Sequence, residues 1–224
     1  MPRAVVLLSG GLDSATLLAI ALEQGFDCYA LSFDYGQLHG AELVAAAGIA
    51  KKLGVHEHRV MAIPIGALGG SALTDNTIAI PDKGGVGIPV TYVPARNTVF
   101  LSLALAWAEV LDAKAIFIGG NAIDYSGYPD CRPEYIAKVN EVIKTHTNDI
   151  FVHAPIVYLT KADVVRLGEE VGVPWDKTWS CYRGGLNACG KCPSCEYRLL
   201  GFGQAGIKDP IAYDEGVETW PQKT

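Results

Sequence analysis

The chain has no long apolar run. Its longest strongly apolar stretch, residues 99–108, stops at Glu109, well short of the roughly 20 residues that span a bilayer. No export leader is expected either, because only Arg3 and the five apolar residues 4–8 precede the first glycines, too little for a signal peptide. A cytoplasmic location is therefore expected, with no membrane partner. Positive charge is scarce too: 18 Lys+Arg stand against 24 Asp+Glu, a formal net charge of −6. That balance argues against direct nucleic-acid binding through a basic face. Internal repeats and low-complexity segments are absent. His39, His56, His58, His146 and His153 show no metal-ligand spacing with each other or with the cysteines.

What is present suits a soluble globular chain. Half of the 224 residues are apolar and 19% are charged, enough to bury a full core with a small appendage. Apolar runs at residues 4–8, 28–33, 58–63, 114–118 and 151–156 read as five strands. Helical periodicity falls at 14–24, 41–53, 98–111, from Pro133 onward, and from Thr160 to Val171. Strands alternating with helices in this way predict an α/β fold, a doubly wound, mostly parallel five-stranded sheet. Thr160-Lys161-Ala162-Asp163 has the form of a capping box. Residues 64–97, broken by glycine and proline, read as a long lid or binding loop. The expected organisation is one α/β domain over 1–175, with a C-terminal metal-binding region, 176–224, packed on it. No element is assigned to the last twenty residues.

The first strand runs into Ser9-Gly10-Gly11-Leu12-Asp13-Ser14, and a helix follows. Leu8 through Ser14 are the expected nucleotide-binding residues. Free N–H groups and the positive end of a helix dipole converge there, which makes an anion site. The glycines let backbone approach a phosphate, the serines add donors, and Asp13 suits a metal or a cap. Asp34-Tyr35-Gly36-Gln37 closes the second strand at the same edge of the sheet, where such folds bind ligands.

The cysteines are unevenly placed. Cys28 and Cys131 stand alone, whereas Cys181, Cys189, Cys192 and Cys195 crowd together. Four soft ligands close a tetrahedral zinc site with no open position, hence a structural one; an iron–sulfur cluster accepts the same set. Gly185-x4-Gly190-Lys191 begins like a P-loop, but Cys192 replaces the required hydroxyl. Gly201-x-Gly203-x-x-Gly206 matches a dinucleotide fingerprint without the preceding strand. Both are rejected as nucleotide sites.

Three further segments carry polar chemistry. Val93-Pro94-Ala95-Arg96-Asn97 puts a guanidinium beside a helix start, as a phosphate or carboxylate clamp or as a bridging structural arginine. The stretch from Asn121 to Glu134 gathers Asn121, Asp124, Tyr128, Asp130, Arg132 and Glu134. Carboxylates to accept an N–H edge and aromatics to cover a face suit a purine-like substrate; a solvated loop is the alternative. Lys161 follows the fifth strand and reaches either the phosphate end or solvent. Cys131 has no histidine near it in sequence, so a packed thiol is favoured over a nucleophile.

Ser-Gly-Gly-x-Asp-Ser after the first strand is similar to the pyrophosphate loop of the N-type ATP pyrophosphatases, an adenylating α/β family. With Asp34-Tyr35-Gly36-Gln37, Val93-Pro94-Ala95-Arg96-Asn97, Tyr128-Pro129-Asp130-Cys131-Arg132-Pro133-Glu134 and the four cysteines, residues 3–203 resemble the 7-cyano-7-deazaguanine synthase (QueC) family of queuosine biosynthesis. The resemblance implies a C–N-bond-forming ligase that converts 7-carboxy-7-deazaguanine and ammonia to the nitrile, with ATP releasing AMP and pyrophosphate. It further implies Zn²⁺, a Mg²⁺ requirement and a homodimer. Asp13, Arg96 and Lys161 would then act in catalysis, and Asn121, Asp124, Tyr128, Asp130, Arg132 and Glu134 would line the substrate pocket. A tRNA-thiolating relative, a variant stopping at the amide, and a zinc-dependent nucleic-acid-binding module are the competing readings.

Overall fold

The computed structural model describes residues 1–83, 87–121 and 127–219. Five strands form one sheet in the order β3-β2-β1-β4-β5: β1 Arg3–Leu7, β2 Asp27–Asp34, β3 Glu57–Ala62, β4 Ala115–Phe117 and β5 Phe151–His153. All four pairings are parallel, with Ala4 opposite both Cys28 and Ala115. The chain thus winds outward from β1 to β3, then crosses back to lay β4 on the other side of β1. That reversal opens a crevice at the carboxyl end of β1, between the two halves.

Side-chain alternation along β1 explains the two layers. Ala4 and Val6 face the helices α1 (Leu12–Glu23) and α2 (Ala41–Leu53), in a core completed by Leu17, Ile49, Phe117, Val165 and Phe202. Val5 and Leu7 point the other way, to α3 (Arg96–Val110) and α4 (Pro133–Lys144), through Leu101, Trp107, Ile136 and Ile143. With both faces covered, the central strands read as continuous apolar runs, as parallel sheets require.

Boundaries differ from the sequence expectation at element ends. The first helix opens at Leu12, two residues early, because Gly11 in extended conformation serves as its N-cap. The fifth strand stops at His153, since residues 155–158 turn. The capping box at Thr160 is present in both directions: Thr160 Oγ1 accepts from the Asp163 amide, and Asp163 Oδ2 accepts from the Thr160 amide, each at 3.2 Å, opening α5 (Lys161–Glu170). Much of the 64–97 segment is packed: Pro64–Leu68 forms a 3₁₀ turn, and Ile65, Ala72, Leu73, Thr91 and Val93 are buried.

One helix lies beyond what the sequence patterning showed. α6 (Pro193–Ala205) carries Gly201 and Gly203 in its interior, which weakens the helical signal. Its position is set by close approach: a Cβ on Gly201 would fall 2.8 Å from the Lys161 Cβ. Only a glycine there lets α6 lie on the start of α5. Arg198, on the same helix, is wholly buried and donates to Asp209 from Nε (2.7 Å) and Nη2 (2.9 Å). It also reaches Thr178 Oγ1 at 2.8 Å, so the chain around residue 178, α6 and the segment at 209 are tied to one cation.

Candidate active site

A cavity of about 210 Å³ opens at the carboxyl end of β1 and β2. Its wall includes Leu8, Ser9, Gly11, Leu12, Asp13 and Ser14 on one side and Tyr35, Glu42, Arg96, Phe100, Tyr128 and Cys131 on the other. The glycine loop forms its floor. Gly10 has φ +91°, and a Cβ there would sit 2.2 Å from the Glu42 carbonyl oxygen, so α2 presses directly on the loop. The two serines brace it from within. Ser14 Oγ donates to the Gly11 carbonyl at 3.0 Å, accepts from the Ser9 amide at 3.2 Å, and lies 3.1 Å from Ser9 Oγ.

Asp13 gathers partners from two distant parts of the chain. Lys161 Nζ donates to its Oδ2 at 2.5 Å, and Asn121 Nδ2 donates to the same oxygen at 2.8 Å. Lys161 is 7% exposed, so the alternative of a surface lysine falls away. Its ammonium emerges beside the glycine loop because the capping box fixes the first turn of α5 there.

Arg96 begins α3 after Ala95, whose φ of 54° is left-handed for a residue with a side chain. The guanidinium lies 5.6 Å from the Tyr35 ring centroid and 5.9 Å from that of Phe100, a cation over an aromatic pair. Phe100 stacks on Phe33 at 3.9 Å between centroids. Burial raises the Tyr35 hydroxyl to about 12, so it remains a neutral donor at physiological pH. Burial opposes the Arg96 charge, but the facing Tyr35, Cys131, Tyr128 and Glu42 outweigh it and keep the guanidinium protonated.

The expected pocket residues are dispersed. Asn121 faces Asp13, and Tyr128 lies on the cavity wall with its hydroxyl 2.9 Å from Thr91 Oγ1. Asp130 is buried and accepts the Asn97 amide at 3.0 Å, thereby capping α3. Burial raises its carboxyl. Arg132 and Glu134 are exposed and off the cavity wall. Asp124 lies outside the described residues. Cys131 accepts from Asn97 Nδ2 at 3.2 Å, a packed thiol at the rim.

The patterning also left residues unnoticed. Glu42 enters the cavity from the first turn of α2; its place just past the β2 turn, over the ligand edge of the sheet, was the available signal. The stretch containing Trp179, Ser180 and Tyr182 also contributes to the wall, and the Trp179 amide donates to the Gly10 carbonyl at 2.8 Å. No local pattern announces that contact.

Cys181, Cys189, Cys192 and Cys195 are all buried, with their sulfurs within 4.8 Å of one another, a set able to hold a metal ion. Four sulfurs at ~2.3 Å from one ion would stand about 3.8 Å apart; the Cys189–Cys195 distance is 4.0 Å. Amides of Lys191 and Cys192 point at Cys189 Sγ at 3.4 and 3.3 Å. Arg183 beside them is paired with Asp82 at 2.6 Å, tying the 64–97 segment to the cysteine lobe.

Residues 3–206 match the family model described as "Queuosine biosynthesis protein QueC". The chain belongs to the QueC family. Among curated QueC relatives, the 7-cyano-7-deazaguanine synthase of Coxiella burnetii is 56% identical, over 95% of this chain and 98% of its own length. That of Methylococcus capsulatus is 57% identical over 95% and 99%. Of solved structures, an NMN synthetase from Francisella tularensis superposes with a TM-score of 0.51 at 18% identity, covering 92% of this chain and 78% of its own, a likeness of fold alone. The curated relatives are enzymes, named as synthases. No helix among the described residues of this chain is long and apolar enough to cross a membrane.

Proposed function

We propose that this QueC chain makes 7-cyano-7-deazaguanine from 7-carboxy-7-deazaguanine and ammonia, at the expense of two ATP. A carboxylate is a poor electrophile. Its oxygen attacks the α-phosphorus of ATP, pyrophosphate leaves, and an acyl-adenylate forms. Ammonia adds to the acyl carbon, AMP leaves, and the amide results with loss of a proton. The amide oxygen then attacks a second ATP. A second pyrophosphate departs and one N–H proton is lost, giving the O-adenylated imidate; expulsion of AMP with loss of the other N–H proton leaves the nitrile.

The observation that carries this reading is the meeting of Lys161 with Asp13 beneath the glycine loop, on the wall of the cavity. Both adenylations build charge on leaving pyrophosphate, and no covalent bond to the protein is required. The chain then contributes position and charge. Ser9, Gly10, Gly11 and Ser14 hold phosphate oxygens at the positive end of α1. Lys161 and Arg96 offset the developing charge, and Asn121 fixes the Asp13 carboxylate. Asp13 is the ligand for Mg²⁺, which would supply charge neutralisation at the phosphates. Tyr128 covers the substrate, whereas exposed Arg132 and Glu134 and the helix-capping Asp130 have no direct role in this scheme.

The four cysteines hold Zn²⁺, whose role is to fix residues 179–182 over the loop. The active unit is a cytoplasmic homodimer without nucleic-acid or membrane partners. Mass spectrometry of products from the carboxylate substrate, ATP, Mg²⁺ and ammonium tests the proposal. A nitrile is expected; carboxamide alone would overturn the second adenylation.

A further inference from the structure

Glu42 has no task in the scheme above, yet it occupies the cavity. It sits in the first turn of α2, and its backbone oxygen abuts Gly10. No hydrogen bond or ion pair engages its carboxylate among the described residues. Burial raises that carboxyl to about 6, against the opposing pull of Arg96. A helix gains little from an acid in its first turn, and an exposed position supplies that without desolvation. The cavity wall therefore holds a half-buried acceptor, a protonated guanidinium and the stacked Phe33 and Phe100 rings.

Two flat heterocycles must be told apart at such a site. The pyrimidine edge of a guanine-type base presents two adjacent donors, N1–H and the 2-amino group. A carboxylate offers two acceptors at matching separation. Adenine presents one donor beside one acceptor at the corresponding edge, so a carboxylate meets its ring nitrogen with repulsion.

Resting on the proposed activity, we infer that Glu42 is the specificity residue for the deazaguanine ring, accepting N1–H and the 2-amino group.

The test compares 7-carboxy-7-deazaguanine with the analogue lacking the 2-amino group, using intact wild-type protein and Glu42→Gln. The wild type should prefer the parent by about 100-fold in kcat/KM, the scale expected when an acceptor closed off by bound substrate loses its donor. In Glu42→Gln the parent KM should rise about 100-fold, the preference should collapse to a few-fold, and the KM for ATP should stay put. Unchanged discrimination, or a rise in the KM for ATP instead, overturns the assignment while the proposed activity stands. A wild type indifferent to the 2-amino group overturns it without reference to any variant. Wild-type protein that makes no nitrile overturns the activity itself, and this assignment with it.

Discussion

Lys161 and Asp13, 148 positions apart, meet at 2.5 Å in the wall of the cavity. The first turn of α5 and the first turn of α1 are thereby joined by one charge pair, only 8% and 16% exposed at the side chains. Breaking a pair so sheltered leaves the partner charge uncompensated. Lys161→Met keeps the aliphatic stem packed on Gly201 and removes the ammonium. AMP release under saturating substrate should fall by about 10²–10³-fold, the usual scale for losing one preorganised charge at a transition state. Unchanged kcat would place the phosphates elsewhere.

Glu42 makes the enzyme pH-dependent on its acidic side. Its carboxyl titrates near 6 in the folded protein rather than near 4.5. In the proposed role it accepts two hydrogen bonds from the ring only when ionised, above about pH 6; below, it is protonated and cannot. The KM for the deazaguanine should therefore climb as pH falls through 6, and in Glu42→Gln that climb should be absent. Arg96 and Tyr35, which face it from α3 and the β2 turn, do not titrate in this window.

The same residue has a stability signature. A folded pKa above the unfolded one favours the folded state fully below pH 4.5, and that advantage is lost as pH rises through 6. At pH 7.5 the ionised carboxylate is thus a liability. Replacing it with glutamine should stabilise the fold by roughly 1 kcal/mol, read as a higher denaturant midpoint with an unchanged slope.

Metal removal should act on stability and activity together. Cys192 is wholly buried and N-caps α6. Elemental analysis is expected to find one zinc per chain, and Cys192→Ser to lower it. Stripping the ion or making that substitution should cost several kcal/mol and loosen the Trp179 contact to Gly10. A chain that keeps its Tm after chelation would rule out a structural ion.

Ala95 and Asp209 offer opposite tests. The left-handed φ of Ala95 costs about 1 kcal/mol, so Ala95→Gly should leave stability level or slightly raised, while Arg96 loses fixed orientation and kcat/KM drops a few-fold. Asp209→Ala strands the buried Arg198 cation and should cost about 3–5 kcal/mol by chemical denaturation.

The order of strands and helices, the parallel sheet, the glycine loop at the end of β1 and the four-cysteine cluster were legible in the residues alone. Each is written in short-range chemistry: apolar period, turn residues, caps and ligand spacing act over a few positions. The glycines of α6 hid that helix because its helical state comes from packing on Lys161, not from propensity. The stretch around Asp130 looked like a pocket by composition, but packing turned Asp130 toward the Asn97 amide and left Arg132 and Glu134 in solvent. Only the tertiary structure could bring Glu42 from α2, Arg96 from α3 and Lys161 from α5 to one cavity. Which side chains meet there depends on how elements tens of residues apart settle on the sheet, and no local pattern encodes that distance.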